Sequence, residues 1–153
     1  CVALACALRG ATPSAVYERA LTFAHENALA PEILAALNRA SKTPPADYFV
    51  HMGWVVIAFH NAFFQLLNAT NAEEGVVDTI ARGGDTDTNA CIAGALLGAA
   101  YGADAWPAAW KAGILSCRAE AGRKGVLRPR PRCLWPVDLL QIADRLVLLG
   151  ENL

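Results

Sequence analysis

No stretch of this sequence alternates apolar and polar residues with a period of two, so nothing in it reads as a half-buried strand. The apolar residues recur instead at helical spacing. Met52, Val55, Val56, Phe59, Phe63, Leu66 and Leu67 make one wide stripe. Ile33, Leu34 and Leu37 make a shorter one behind Pro31, and Leu139, Leu140, Ile142 and Leu146 another behind Pro136. The expected class is therefore all-α, as a single domain over residues 1–153. With 55% hydrophobic and 18% charged residues the chain can build a core, and nothing in it reads as disordered.

Punctuation divides the chain into helices. The first segment, from Cys1, has no capping residue ahead of it and closes at Arg9-Gly10. This is expected of a chain that extends further back. Thr12-Pro13 supplies an N-cap and a first-turn proline for a helix to about Asn27. Ser41 to Pro45 is a loop, and the long stripe from Met52 follows it. Thr70-Asn71-Ala72-Glu73 has the form of a capping box, and its helix runs into Gly83-Gly84. The next helix carries Gly94, Gly98 and Gly102 on one face. Glycines there cost about 1 kcal/mol each relative to alanine, so a neighbouring helix or backbone is expected to approach closely along that face. Trp106 to Cys117 reads as a helix, Arg118 to Arg132 as a basic loop, and Pro136 to Gly150 as the last helix.

Charge and composition exclude several classes. A formal net charge of -1 gives no bulk attraction to nucleic acid or to an anionic membrane. The longest apolar stretch, Ala90 to Ala103, is shorter than the roughly 18 residues of a membrane span. The five cysteines, Cys1, Cys6, Cys91, Cys117 and Cys133, are odd in number and form no CxxC pair. They read as free core thiols of a reducing compartment, which implies a cytoplasmic protein.

Chemistry concentrates at Gly83-Gly84-Asp85-Thr86-Asp87-Thr88. Two carboxylates and two hydroxyls within four residues suit a hard divalent cation. Residues two apart do not share a helix face, so Asp85 and Asp87 converge only if Asp85 lies in the turn and Asp87 in the first helical turn. Gly83 and Gly84 permit that sharp turn, and the hydroxyl of Thr88 can join as a neutral ligand. The alternative is plain helix capping by Asp85 or Thr86. An EF-hand is excluded, because the positions that need glycine and glutamate are Ala90 and Leu96. A DxDx[TV] phosphotransfer loop is excluded too, because Asn89 stands at its last position and no buried strand precedes it.

This segment, followed by Ala93-Gly94-Ala95-Leu96-Leu97-Gly98-Ala99-Ala100-Tyr101-Gly102, resembles the C-terminal signature of the ADP-ribosylglycohydrolases. Gly53-Trp54-Val55-Val56 resembles their glycine-aromatic-valine-valine helix, and Trp106, Trp110 and the helix from Pro136 fit as well. The resemblance covers essentially the whole chain. It implies a compact orthogonal helical bundle, here its C-terminal half, and a pair of Mg2+ or Mn2+ ions in a central cleft. It implies Asp85, Asp87 and Thr88 as metal ligands and Trp54 as lining the ADP-ribose cleft. Gly83 and Gly84 are expected at the substrate beside these ligands, and His51 as well, because it sits near Gly53-Trp54. The family's N-terminal Thr-Asp-Asp motif has no counterpart in these residues. The resemblance therefore places the remaining ligands and the catalytic carboxylate on an N-terminal half, either part of the same protein or another chain. The isolated chain is then expected to be inactive.

The implied reaction is hydrolysis of the glycosidic bond joining ADP-ribose to a protein or small-molecule acceptor. The alternative is a non-catalytic ADP-ribose-binding or structural member of the same superfamily. Trp54 can present a flat face to a base or ribose, or simply pack in the core. His25 and His60 show no ligand spacing. The arginines between 118 and 132 can meet a pyrophosphate or remain solvated.

Overall fold

A computed structural model describes residues 1–150, and the last three residues of the expected domain lie outside the described residues. Among the described residues there are eight α-helices and no strand, so the class is all-α. The helices are α1 (Val2–Ala7), α2 (Pro13–Glu26), α3 (Pro31–Ala40), α4 (Val55–Asn68), α5 (Ala72–Ala81), α6 (Thr86–Tyr101), α7 (Ala108–Leu115) and α8 (Leu139–Gly150). The chain divides into two compact units, Cys1–Trp106 and Pro107–Leu153. No helix of the described residues is long and apolar enough to cross a membrane.

In the first unit α6 packs against α4, α5 and α1, while α3 packs against α4. The core is made of Val16, Ala24, Leu37, Ala40, Phe63, Leu66 and Ala93, all buried. Small residues on α2, α3 and α6 let the helices approach closely, and the Tyr17 hydroxyl donates to the Leu37 carbonyl at 3.2 Å to tie α2 to α3. In the second unit α7 and α8 both pack against a 3-10 turn at Pro136–Asp138.

Local chemistry accounts for most boundaries. Thr12 caps α2 through its hydroxyl, which accepts from the Ala15 amide at 3.3 Å, and Pro13 fills the first position. Four expectations need correction. The stripe from Met52 does not begin a helix there: residues 50–53 form turns, His51 takes φ +57°, and α4 starts at Val55. The capping box before α5 is shifted by one residue. Asn71 is the N-cap and accepts from the Glu74 amide at 2.9 Å, while Glu74 reaches back to the Thr70 amide and hydroxyl. Asn at the cap competes well with Thr, and here the acid three residues beyond it closes the box. Trp106 precedes α7 in extended backbone, with Pro107 as the N-cap residue. The cysteines are free thiols, but four are exposed and Cys6 is half-buried, so they are not core residues.

The glycine face of α6 has an unexpected neighbour. It meets helix α5 at one end, where a Cβ at Gly94 would lie 3.6 Å from Val76 Cγ2, and the indole of Trp106 along the rest. A Cβ at Gly98 would lie 3.3 Å from Trp106 Nε1, and one at Gly94 4.0 Å from Cη2. Gly102 lies just past the helix, at its C-cap.

Candidate functional site

The site is assembled in the first unit where the end of α5, the turn 83–85 and the loop 47–54 meet. Arg82, the C-cap residue of α5, anchors the approach. Its guanidinium grips Asp78 through Nε at 2.6 Å and a second nitrogen at 3.1 Å, and lies over the rings of Phe64 and Tyr48 at 5.4 and 5.9 Å. Gln65 donates to the same carboxylate. Desolvation pushes the Asp78 pKa up, but the bonds from Arg82 and Gln65 outweigh it and hold the carboxyl below its ordinary range.

Gly83 and Gly84 follow with φ +79° and +70°, a conformation that costs residues with a Cβ. Their second constraint is space. A Cβ at Gly83 would meet the Phe49 ring at 2.5 Å, and one at Gly84 would lie 2.8 Å from the Tyr48 carbonyl carbon and closer still to its oxygen. The turn is therefore pressed onto Tyr48-Phe49. Tyr48 is fixed in turn by a buried chain of hydrogen bonds. Its hydroxyl donates to Asn61 Oδ1 at 2.7 Å, Asn61 Nδ2 donates to Thr79 Oγ1 at 3.0 Å, and that hydroxyl donates to the Gly75 carbonyl at 2.7 Å. This chain joins the loop to α4 and α5.

Burial pushes the Tyr48 phenol up to about 12, with smaller opposing effects of Arg82, which lowers it, and Asp78, which raises it. The folded state thus favours the neutral phenol over the unfolded chain, whose tyrosines ionise near pH 10. The contribution is complete below about pH 10 and is lost as pH rises from there to about 12. Urea melts should show stability falling across that window by about 2 kcal/mol more than in Tyr48→Phe. At neutral pH Tyr48→Phe should itself cost about 1 kcal/mol, because Asn61 Oδ1 loses a buried donor.

Asp85 occupies the N-cap of α6, but its side chain makes no capping hydrogen bond. Asp87 lies in the first turn of the helix, as convergence requires. The Asp85 carboxyl, then the Thr88 and Asp87 amides, hold the Asp87 carboxyl below its ordinary value. The Thr88 amide donates to Asp87 Oδ1 at 3.0 Å. Asp87 and Thr88 are exposed and Asp85 half-buried, so the oxygens stand open to a ligand. Among the described residues no group of three or more His, Cys, Asp or Glu side chains is gathered that could hold a metal. Asp85, Asp87 and the Thr88 hydroxyl are the oxygen donors this turn presents. Oxygen-only donors of this kind fit Mg2+ or Mn2+.

The loop beside the turn forms an open cavity of about 650 Å³ lined by Phe49, His51, Met52, Gly53 and Trp54. An Asx turn starts it: Asp47 Oδ1 accepts from the Phe49 and Val50 amides at 2.7 and 3.0 Å. The Trp54 amide donates to the His51 carbonyl at 2.7 Å and closes it. Trp54 is 50% and Phe49 67% exposed, so neither is a core side chain. The structure thus brings Trp54 and His51 to one cavity and sets Gly83 against its Phe49 wall. His25 is exposed on α2. His60 is buried with Nε2 2.9 Å from the Thr43 carbonyl, and desolvation lowers its pKa. Phe49, Tyr48 and Arg82 did not stand out in the sequence, where Tyr48-Phe49 lies some 35 residues from the turn it supports.

Comparison with known proteins agrees with the motif. The family description ADP-ribosylglycohydrolase matches residues 1–151. A protein of Acanthamoeba polyphaga mimivirus, named as an ADP-ribosyl glycohydrolase, is 35% identical over 69 residues, 45% of this chain and 21% of that protein. An ADP-ribosylhydrolase of Danio rerio is 51% identical over 39 residues, 26% of this chain and 10% of that protein. The matched segments thus span well under two thirds of either relative. No solved structure matches.

Proposed function

The chain belongs to the ADP-ribosylglycohydrolase family, and from that premise we propose that it forms part of an enzyme that hydrolyses the glycosidic bond between ADP-ribose and its acceptor. In this reading Asp85, Asp87 and Thr88 supply one side of a binuclear Mg2+ or Mn2+ site. The observation that carries it is Asp85 at the N-cap of α6 with no capping hydrogen bond, half-buried, beside the exposed Asp87 in the first turn. A residue placed there for capping alone would turn its side-chain oxygen onto a helix amide.

Asp85, Asp87 and Thr88 would hold such cations, which would supply charge stabilisation for cleavage of the glycosidic bond. The chain's own residues do the rest of this half of the work. Asp85 and Asp87 provide the negative charge and Thr88 a neutral oxygen. Trp54 offers its exposed indole face to a base or ribose, with His51 on the same cavity wall. Gly83 and Gly84 let the turn sit against Tyr48 and Phe49, which sets Asp85 and Asp87 beside the cavity wall. The cavity has the size of a small-molecule site. The remaining ligands and the catalytic carboxylate come, in this reading, from outside these 153 residues.

Release of ADP-ribose from an ADP-ribosylated peptide by the full protein tests the proposal, with Mg2+ or with EDTA. Cation-dependent release is the expected result. Calorimetry separates the alternative, since ADP-ribose binding without turnover identifies a non-catalytic binding protein. Neither binding nor release would overturn the reading.

A further inference from the structure

Among the described residues a single buried side-chain nitrogen or oxygen lacks a partner, and it belongs to the helix that starts at the aspartate turn. Asn89 is 1% exposed, and its Nδ2 meets no acceptor. The neighbouring buried amides differ. Asn61 bonds to Tyr48 and Thr79, and Gln65 bonds to Asp78. An unpartnered buried amide carries a desolvation penalty that an apolar residue of similar volume avoids, so its presence calls for an explanation.

Its position provides one. The Asn89 amide N–H donates to the Asp85 carbonyl at 3.0 Å, which sets Asn89 one helical turn beyond Asp85. Helical side chains lean toward the helix N-terminus, so that of Asn89 leans toward the turn that holds Asp85. Asp85 is half-buried and its carboxyl makes no capping bond, so an acceptor group sits one turn from a donor without a partner. A buried water needs two to four polar partners, and this pair supplies a donor and an acceptor.

We propose that Asn89 is a positioning residue of the site, its side-chain amide holding the Asp85 carboxylate in place through one bridging water. The inference rests on the reading of Asp85 as a cation ligand. Groups that orient a metal ligand without touching the metal matter for affinity, because they fix the ligand before the ion arrives.

The experiment compares Mn2+ affinity, read by electron paramagnetic resonance of the free ion, with Tm in the full protein. Asn89→Leu should weaken Mn2+ binding about tenfold, while Tm stays level or rises because the unpartnered amide is gone. Asn89→Ser, which keeps a hydroxyl and leaves room for a second water, should recover most of the affinity. If Asn89→Leu fails to fold, Asn89→Val carries the same comparison with a smaller side chain. A raised Tm with unchanged Mn2+ affinity in the apolar variant would overturn the inference, and Asn89 would be a tolerated orphan. Loss of affinity in Asp87→Asn but not in Asn89→Leu would overturn this inference alone. A wild-type protein that binds no Mn2+ would overturn the cation reading and this inference with it.

Discussion

Gly84→Ala is expected to lower Tm by more than about 10 °C, or to prevent folding, and to abolish cation binding with it. Two costs add. An alanine at φ +70° pays about 1–2 kcal/mol for a left-handed backbone. The added methyl then meets the Tyr48 main chain, 2.8 Å from its carbonyl carbon. That backbone cannot swing away as a side chain would, because the Tyr48 hydroxyl is tied to Asn61 and through it to Thr79. Forced overpacking of this kind costs about 1–3 kcal/mol more. Gly83→Ala should be milder, since its methyl meets the tip of the exposed Phe49 ring, which can move. Gly53→Ala is the control: nothing lies within 4 Å of its Cβ position, and Tm should stay within about 2 °C. Thermal melts of the three variants check the ranking, and a Gly84→Ala protein as stable as Gly53→Ala would refute the close approach of the turn.

Asp87→Asn is expected to separate binding from stability. Removing a coordinating carboxylate should weaken Mg2+ or Mn2+ binding by at least about 100-fold, since residues that merely orient a ligand already cost 10- to 100-fold. Stability should not follow. Asp87 is exposed, and an amide of the same shape can still accept from the Thr88 amide. Tm without cation should therefore hold, whereas the rise in Tm on adding Mg2+ or Mn2+ to the wild type should disappear. If capping were the role of this turn, the reverse pattern would appear: lower Tm and unchanged cation response. Calorimetric titration together with melts in EDTA distinguishes the two.

Much of this arrangement was legible residue by residue. Thr12-Pro13 and Pro31 marked helix starts that the structure keeps. Helix geometry alone requires Asp85 to precede the helix and Asp87 to enter it if they are to converge, and both residues stand there. Where the reading slipped, a neighbour had decided the matter. The Met52 stripe was shortened by the turn at His51. The capping box moved to Asn71 once Glu74, rather than Glu73, reached back to Thr70. The glycines of α6 faced helix α5 only at Gly94, and the indole of Trp106 covered the rest. Asn89 carried a local hint, a polar residue at the head of an apolar run, but its burial without a partner depends on how α6 packs.

By itself the sequence determined the all-α class, the order of the helices and the chemistry of the aspartate turn. Those features rest on interactions within a turn or two of chain: periodicity, capping, glycine at positive φ, carboxylates at fixed spacing. Tertiary structure alone decided that the turn is pressed onto Tyr48-Phe49, that Arg82 is held between Asp78 and two rings, that Trp54 is left exposed beside His51, and that Asn89 is enclosed. Most of those outcomes join residues far apart in the chain, and the exposure of Trp54 and the burial of Asn89 are set by the packing around them. Such contacts form only when helices pack, and no local rule of spacing encodes which faces meet.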